Sequence, residues 1–347
     1  MIEEINLRKH RNKGLVLLLV SIALIIGLFV GLDAFDVVDV WTPLKNSNPI
    51  FVILSTLSMS LAFWGMGCRW RALMPCNPDS LSLSAIVCAG LLLNYAAPGP
   101  MGELAAAYLA SKRFPLSLSQ ALASGVVARL VGLISAALIG AVVWLCLPLS
   151  IAPKLTFVIQ ITAGFALLLG LGLLSIIVCS KYWIHLSQKI QPVEATHSFF
   201  SKLLHKAGSA IASLCTDTVS IKDDPNASYL RALAWSLFSH SCVILGIILL
   251  TYAFQSPFSF WGIVFTYSVT TAGAVLLFAL PGSYLGWDAL FLGLLLSTTP
   301  IQESHAVAIV AIVRIQQLGY MLLGGMSLHY LLSPKISSTQ TCTKEST

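Results

Sequence analysis

Long apolar stretches without Asp, Glu, Lys or Arg are the feature that most constrains the fold of this chain. They run over 14–32, 46–68, 80–102, 130–153, 155–180 and 232–287. A helix needs about 20 apolar residues to cross the hydrocarbon core of a bilayer. Only 10% of the residues are charged, against about 25% in a soluble domain. The chain is therefore predicted to be an all-α polytopic membrane protein, and a separate soluble catalytic domain is excluded.

Basic residues indicate which helix ends face the cytoplasm, because Lys and Arg are retained on that side. Four of them precede the first apolar stretch, which lacks an Ala-x-Ala cleavage site and is predicted to be a retained helix with a cytoplasmic N-terminus. Arg69 and Arg71 mark the inner face after the second span, whereas Lys45 and Lys154 fall outside. The last helix returns inward, so both termini are predicted to be cytoplasmic, and the net charge of +6 reflects topology rather than a nucleic-acid partner.

Two of the apolar stretches are interrupted at Pro-Gly. The hairpin breaks are Pro98, Gly99 and Gly102 in the first and Pro281, Gly282 and Gly286 in the second. Broken backbone is tolerated in a membrane only where protein or a wet cavity covers it, which is typical of re-entrant hairpins. We predict about six transmembrane helices plus two such hairpins in a single transmembrane domain, 1–347. Its repeat halves are 50–147 and 229–332, and a cytoplasmic amphipathic linker covers 181–228.

The two hairpins and the helices after them carry the same charge pattern. Glu103 precedes Arg129 by as many positions as Asp288 precedes Arg314 (129 − 103 and 314 − 288, 26 in both). In the predicted topology the first hairpin enters from the inside and the second from the outside. The halves are then an inverted repeat, and inverted repeats with broken helices are the architecture of secondary transporters.

These four charges are predicted to lie within the hydrocarbon, where an arginine costs about 2.5–3.5 kcal/mol on insertion scales. Each must therefore face a partner or a cavity, and two interpretations remain open. The acids and arginines either form ion pairs that hold the hairpins in place, or bind an anionic headgroup together with the helix N-termini near Gly102 and Gly286. Asn94 beside the first break either caps the hairpin or contacts that headgroup.

The chain shows no pattern for a metal, a cofactor or a covalent nucleophile. Its eight cysteines include no C-x-x-C pair, and its seven histidines include no H-E-x-x-H. Only His240 lies in the middle of a span, where an interhelical hydrogen bond is the expected role. No catalytic residue and no cofactor are predicted.

The chain resembles the lysylphosphatidylglycerol synthase transmembrane region family at two sets of residues: Asn94, Pro98, Gly102, Glu103 and Arg129, then Pro281, Gly282, Gly286, Asp288 and Arg314. The resemblance implies a flippase-like integral protein of a prokaryotic inner membrane, here a stand-alone member without the aminoacyl-transferase domain. Two departures set this chain apart from the family pattern. A basic residue often follows the first acid in the family, where this chain has 105–107 as three alanines, and the second acid is often Glu rather than Asp288.

The leading expectation is a lipid flippase or translocase that moves an anionic phospholipid or a lipid-linked phosphate between leaflets. Arg129 and Arg314 bind the phosphate, while Glu103 and Asp288 couple movement to protons or orient the arginines. The alternatives are a membrane-embedded enzyme acting on a lipid phosphate, and a scaffold subunit whose partner is a lipid-synthesis enzyme. The sequence favours a transporter over an enzyme. Membrane lipids are its expected partners.

Overall fold

The computed structural model describes residues 39–96, 101–146, 227–277 and 283–332, together with scattered positions between 160 and 221. Within these residues the chain is helical and contains no strand. The helices are α1 (Trp41–Asn46), α2 (Pro49–Arg71), α3 (Ser80–Ala96), α4 (Met101–Arg113), α5 (Leu118–Cys146), α6 (Tyr229–Ala253), α7 (Phe260–Leu277), α8 (Ser283–Thr298), α9 (Glu303–Met326) and α10 (Leu328–Leu332).

Four of the six predicted spans are confirmed as helices that are long and apolar enough to cross a membrane: α2, α5, α6 and α9. The spans predicted over 14–32 and 155–179 lie outside the described residues, apart from isolated positions of the second. Most of the linker 181–228 lies outside them as well, as do the breaks Pro98, Gly99, Pro281 and Gly282. The all-helical membrane class is thus established, and α3, α4, α7 and α8 lie where the arms of the two hairpins were predicted.

The boundaries differ from the predicted ones in three places. Helix α1 was not predicted, and α8 begins at Ser283 rather than at Trp287. The last helix was predicted to continue to Leu332, but α9 ends at Met326 and α10 follows separately. Its last turn contains two glycines, which are poor helix formers, and the Ser327 hydroxyl donates to the Gly324 carbonyl oxygen at 2.7 Å. That local bond competes with continuation of the helix.

Helices α2 and α6 pack against each other in antiparallel orientation along their lengths. At one end the Asn48 N–H donates to the Ala253 carbonyl oxygen at 2.9 Å, and at the other the Ser228 N–H donates to the Ala72 carbonyl oxygen at 2.8 Å. The outer face of α2 exposes large apolar side chains, at Ile50, Ile53, Leu57 and Leu61. Such a face is suited to contact with lipid chains.

The arms of the first hairpin, α3 and α4, meet at two glycines. A Cβ atom at Gly90 would lie 2.8 Å from the Gly102 carbonyl oxygen and 3.0 Å from the Cβ of Ala106, so only glycine permits this approach. In the second hairpin the start of α7 meets the end of α8. There the Thr266 and Thr298 hydroxyls are 2.9 Å apart, and Thr298 also donates to the Gly262 carbonyl oxygen at 3.2 Å.

The two ends of the bundle carry different charges. We call the end formed by 71–79, 112–118 and 227–231 the basic end, because it holds Arg71, Lys112, Arg113 and Arg231. The opposite end is formed by 46–48, 253–259 and 299–303. The first hairpin has both of its open ends at the basic end, since α3 follows 71–79 and α4 leads into 114–117. The second hairpin begins and finishes at the opposite end.

Candidate functional site

A cavity of about 310 Å³ lies between the two hairpins and the long helices. Of the residues predicted to bind substrate, Asn94, Glu103, Arg129 and Arg314 line it, and so does Gly102 of the first break. Asp288 does not line the cavity; its carboxylate contacts Arg314. Gly286 lies in the first turn of α8. The folded chain therefore brings residues more than 180 positions apart into one space.

Asn94 caps the second arm of the first hairpin. Its side-chain oxygen accepts a hydrogen bond from the Gly102 N–H at 2.7 Å, and its side-chain nitrogen donates to Glu103 Oε1 at 3.2 Å. The first N–H groups of a helix have no acceptor within the helix. The Asn94 side-chain oxygen supplies an acceptor for one of these groups, the Gly102 N–H, from the other arm of the hairpin. Of the two roles left open for Asn94, capping is confirmed, and the same side chain holds the carboxylate of Glu103 in place.

Glu103 forms an ion pair with Arg129 of α5. The Arg129 side chain is 31% exposed and that of Glu103 is 19% exposed, because both face the cavity. The second carboxylate oxygen of Glu103 is buried without a hydrogen-bond partner among the described residues. This ion pair is thus accessible from the cavity, and one carboxylate oxygen of Glu103 lacks a hydrogen bond from the described part of the chain.

The second pair, Arg314 with Asp288, is more enclosed. Arg314 Nε donates to both carboxylate oxygens of Asp288, at 2.7 and 2.9 Å, and Arg314 Nη1 donates to Gln317 at 2.7 Å. The guanidinium lies 4.7 Å above the ring of Trp287, a cation–π contact. The arginine side chain is only 8% exposed. Asp288, Gln317 and Trp287 together fix its orientation toward the cavity.

A third arginine that sequence reasoning missed also lines the cavity. Arg69 was predicted to mark the inner face, but its side chain turns into the protein and lies against Gly132, the midpoint of α5. A Cβ atom at Gly132 would overlap the guanidinium of Arg69. Arg69 Nε is buried without a hydrogen-bond partner, and no described residue forms an ion pair with this side chain.

Comparison of the two halves in sequence provides a clue to the space that Arg69 occupies. Gln317 follows Arg314 by three positions and binds it, whereas Gly132 stands at the matching place after Arg129. A glycine there leaves room for a side chain from another helix. The second half carries no Lys or Arg between 232 and 287, so the third arginine has no counterpart there.

His240 links three helices beside Arg69, which confirms the hydrogen-bonding role expected for it. Its Nε2 lies 2.9 Å from the Gly132 carbonyl oxygen and its Nδ1 lies 2.8 Å from the Tyr267 hydroxyl. A carbonyl only accepts, so Nε2 carries the proton and Tyr267 donates to Nδ1. The network holds in place the part of α5 on which Arg69 rests.

Apart from these polar groups, the cavity wall is mainly apolar. The apolar lining comes from several helices and includes Met59, Phe63, Met66, Leu91, Val243 and Ile247. Among the described residues, no three His, Cys, Asp or Glu side chains are grouped in a way that could hold a metal ion. A space with cationic groups on an apolar wall is suited to an amphipathic anion.

Comparison with known proteins gives one family and no individual relative. The family model described as lysylphosphatidylglycerol synthase TM region matches residues 15–325. No curated protein and no solved structure matches the chain.

Proposed function

We propose that this chain, which belongs to the lysylphosphatidylglycerol synthase TM region family, moves an anionic phospholipid or a lipid-linked phosphate between the leaflets of its membrane. The family relates the chain to membrane lipids, and its apolar helices make it an integral membrane protein. The single observation that carries the proposal is the cavity in which arginines from both halves face one space beside two hairpins.

Two features of the packing support an inverted repeat. The first long helices of the two halves, α2 and α6, are antiparallel, as equivalent helices of an inverted repeat must be when they cross the membrane. The hairpins open at opposite ends of the bundle. Packing is also reciprocal, since α7 lies on α5 of the first half and α9 lies on α3.

The ion pairs supply a mechanism for binding and release. A lipid phosphate offers acceptor oxygens that compete with Glu103 for Arg129 and with Asp288 for Arg314. A carboxylate displaced in this way loses its cation, and uptake of a proton then removes the cost of leaving it charged. Departure of the headgroup restores the ion pair. The two roles considered for these residues are thus successive states of one site.

The apolar wall suits the chains of the lipid, and the arginines suit its headgroup. Moving a headgroup through hydrocarbon is costly because its charge must be desolvated. Arg129, near the first break, and Arg314, near the second, replace part of that hydration. Access from both leaflets follows when the hairpins open alternately toward the two ends of the bundle.

The proposal is tested by reconstituting the full chain in phosphatidylcholine vesicles with a trace of fluorescent phosphatidylglycerol. A membrane-impermeant quencher then reports the fraction of probe that has reached the inner leaflet. We expect transbilayer movement with wild type and its loss in the Arg129→Ala/Arg314→Ala double variant. The control is Arg71→Ala, because Arg71 lies outside the cavity and donates to Asn77 at 2.6 Å. Movement that persists in the double variant contradicts the site.

Two further experiments separate the alternative functions. Chemical conversion of added lipid phosphates by the purified chain is the result expected of an enzyme. A scaffold subunit is expected to co-purify with a lipid-synthesis enzyme and to leave lipid asymmetry normal when all four charges are replaced.

A further inference from the structure

Arg69 lines the cavity with its Nε buried and without a hydrogen-bond partner, and no carboxylate among the described residues forms an ion pair with it. An arginine near the end of a membrane helix ordinarily extends toward the headgroup region, where water solvates it. Arg69 instead enters the protein over Gly132, in space that a single methyl group would close. The Gly132 carbonyl oxygen is already bonded to His240. The packing at Gly132 therefore accommodates the guanidinium of Arg69, and no described carboxylate neutralises its positive charge.

The charges around the cavity do not balance. Three arginines face it, Arg69, Arg129 and Arg314, and two carboxylates, Glu103 and Asp288, pair with the last two. The residues between the hairpin arms, 97–100 and 278–282, carry no formal charge. Among the described residues, one positive charge thus remains in a largely apolar space, where an unpaired ion is costly.

We infer that Arg69 binds the headgroup, and that the cavity selects a lipid whose phosphodiester carries one negative charge and no cationic group. This inference rests on the proposed function, because it names the class of lipid that the same cavity takes. While the Glu103–Arg129 and Asp288–Arg314 ion pairs are closed, a single phosphodiester neutralises the charge of Arg69 and accepts hydrogen bonds from its guanidinium. A lysyl-esterified headgroup carries ammonium groups next to its phosphate, and the uncompensated charge of Arg69 repels them. The preferred lipid is thus an anionic phospholipid and not the aminoacylated product after which the family is named.

The test measures which lipids the purified full chain retains from mixed micelles. Equal amounts of phosphatidylglycerol, lysylphosphatidylglycerol and phosphatidylcholine are supplied, and native mass spectrometry counts each lipid on the protein. We expect wild type to retain phosphatidylglycerol over both others by about tenfold or more, the size of one charge-assisted hydrogen bond. Arg69→Gln is expected to lose this preference, and Arg69→Lys to keep part of it.

A second variant removes the site while keeping every charge. In Gly132→Ala the added methyl group takes the place of the Arg69 guanidinium, so the preference is expected to fall as in Arg69→Gln. Arg71→Gln, two positions along the same helix and outside the cavity, is the matched control and is expected to retain the wild-type preference. Unchanged selectivity in Arg69→Gln and Gly132→Ala, or a wild-type preference for the lysylated lipid, overturns the inference.

Two further measurements separate the possible failures. Soluble glycerol phosphate added to the micelles is expected to displace little lipid; if it binds as tightly as the lipid, a free phosphate ester is the ligand and the lipid assignment is wrong. Selective retention in wild type without transbilayer movement contradicts the proposed function and leaves the role of Arg69 intact. Movement with equal selectivity in Arg69→Gln contradicts only the role of Arg69.

Discussion

At the scale of single residues, the two acid–arginine pairs are alike in sequence and differ in surroundings. Glu103 and Arg129 face the cavity with partly exposed side chains, whereas Arg314 is held by Asp288, Gln317 and the Trp287 ring and is almost fully buried. A buried guanidinium depends more on its partner than an accessible one does. We therefore expect the second pair to contribute more to stability and the first to exchange more readily with a ligand.

Asp288→Asn tests this difference. The change leaves Arg314 without its carboxylate, and we expect the free energy of unfolding to fall by about 2 kcal/mol. Denaturant unfolding in detergent micelles measures it. Glu303→Gln is the control, because Glu303 is exposed in the first turn of α9, and its effect should stay within about 0.5 kcal/mol. Equal losses in both variants would contradict the assignment of Asp288.

Asn94→Ala tests the link between the cap and the site. Loss of the cap on Gly102 should cost about 1 kcal/mol, and release of Glu103 should slow lipid movement several-fold. Asn48→Ala removes a comparable cap, since the Asn48 side chain accepts from the Ile50 N–H at 3.0 Å at the start of α2, away from the cavity. Thermal unfolding should show similar destabilisation for Asn94→Ala and Asn48→Ala. The vesicle assay should show slower lipid movement only for Asn94→Ala.

At the scale of helices, glycines decide how closely the two halves approach. Gly324 of α9 faces α3, where an added Cβ atom would lie 2.5 Å from the Cβ of Cys88 and 2.7 Å from the Ala89 nitrogen. Gly140 of α5 plays the corresponding part against α7, with an added Cβ atom 2.9 Å from Val269 Cγ2. Small residues at such contacts let membrane helices associate through close packing.

Gly324→Ala should therefore destabilise the protein by about 1–3 kcal/mol through overpacking. Gly319→Ala lies five positions earlier on the same helix, where an added Cβ atom meets nothing within 4 Å. That change should be neutral or stabilising by up to about 1 kcal/mol, because alanine favours helix more than glycine. Thermal unfolding, monitored by circular dichroism, compares the stabilities of the two variants. A neutral Gly324→Ala would show that α9 does not pack closely on α3.

At the scale of the whole molecule, the two ends of the bundle predict its orientation. The basic end holds Arg71, Lys112, Arg113 and Arg231, whereas Lys45 belongs to the opposite end. By the positive-inside rule we expect the basic end to be cytoplasmic. The second hairpin is then expected to open to the outside, as an inverted repeat requires.

Cysteine labelling measures this orientation. In a background whose accessible native cysteines are replaced by serine, Gln302→Cys should react with a membrane-impermeant maleimide in intact cells. Asn77→Cys, in the loop after α2 at the basic end, should react only after permeabilisation. Labelling of Gln302→Cys solely from the cytoplasm would contradict both the orientation and the inverted repeat.

The sequence by itself determined the features that depend on local chemistry. Uncharged length identified α2, α5, α6 and α9 as helices long enough to cross a membrane, whereas the breaks at Pro-Gly lie outside the described residues and stay predictions. The equal spacing of acid and arginine in the two halves predicted ion pairs as one of two interpretations. Both pairs form, and each joins the start of a hairpin arm to the helix that directly follows it.

Only the tertiary structure decided which distant groups share the cavity. Nothing near Arg69 in sequence distinguishes an arginine that extends toward the headgroups from one that turns inward; the space that admits it belongs to Gly132 on another helix. The hydrogen bond of His240 to the Gly132 carbonyl oxygen and the antiparallel contact of α2 with α6 likewise join residues more than 100 positions apart. Local composition determines which helices can lie in the hydrocarbon core. The direction that a buried charged side chain takes depends on the free space and the hydrogen-bond acceptors that helices distant in sequence provide.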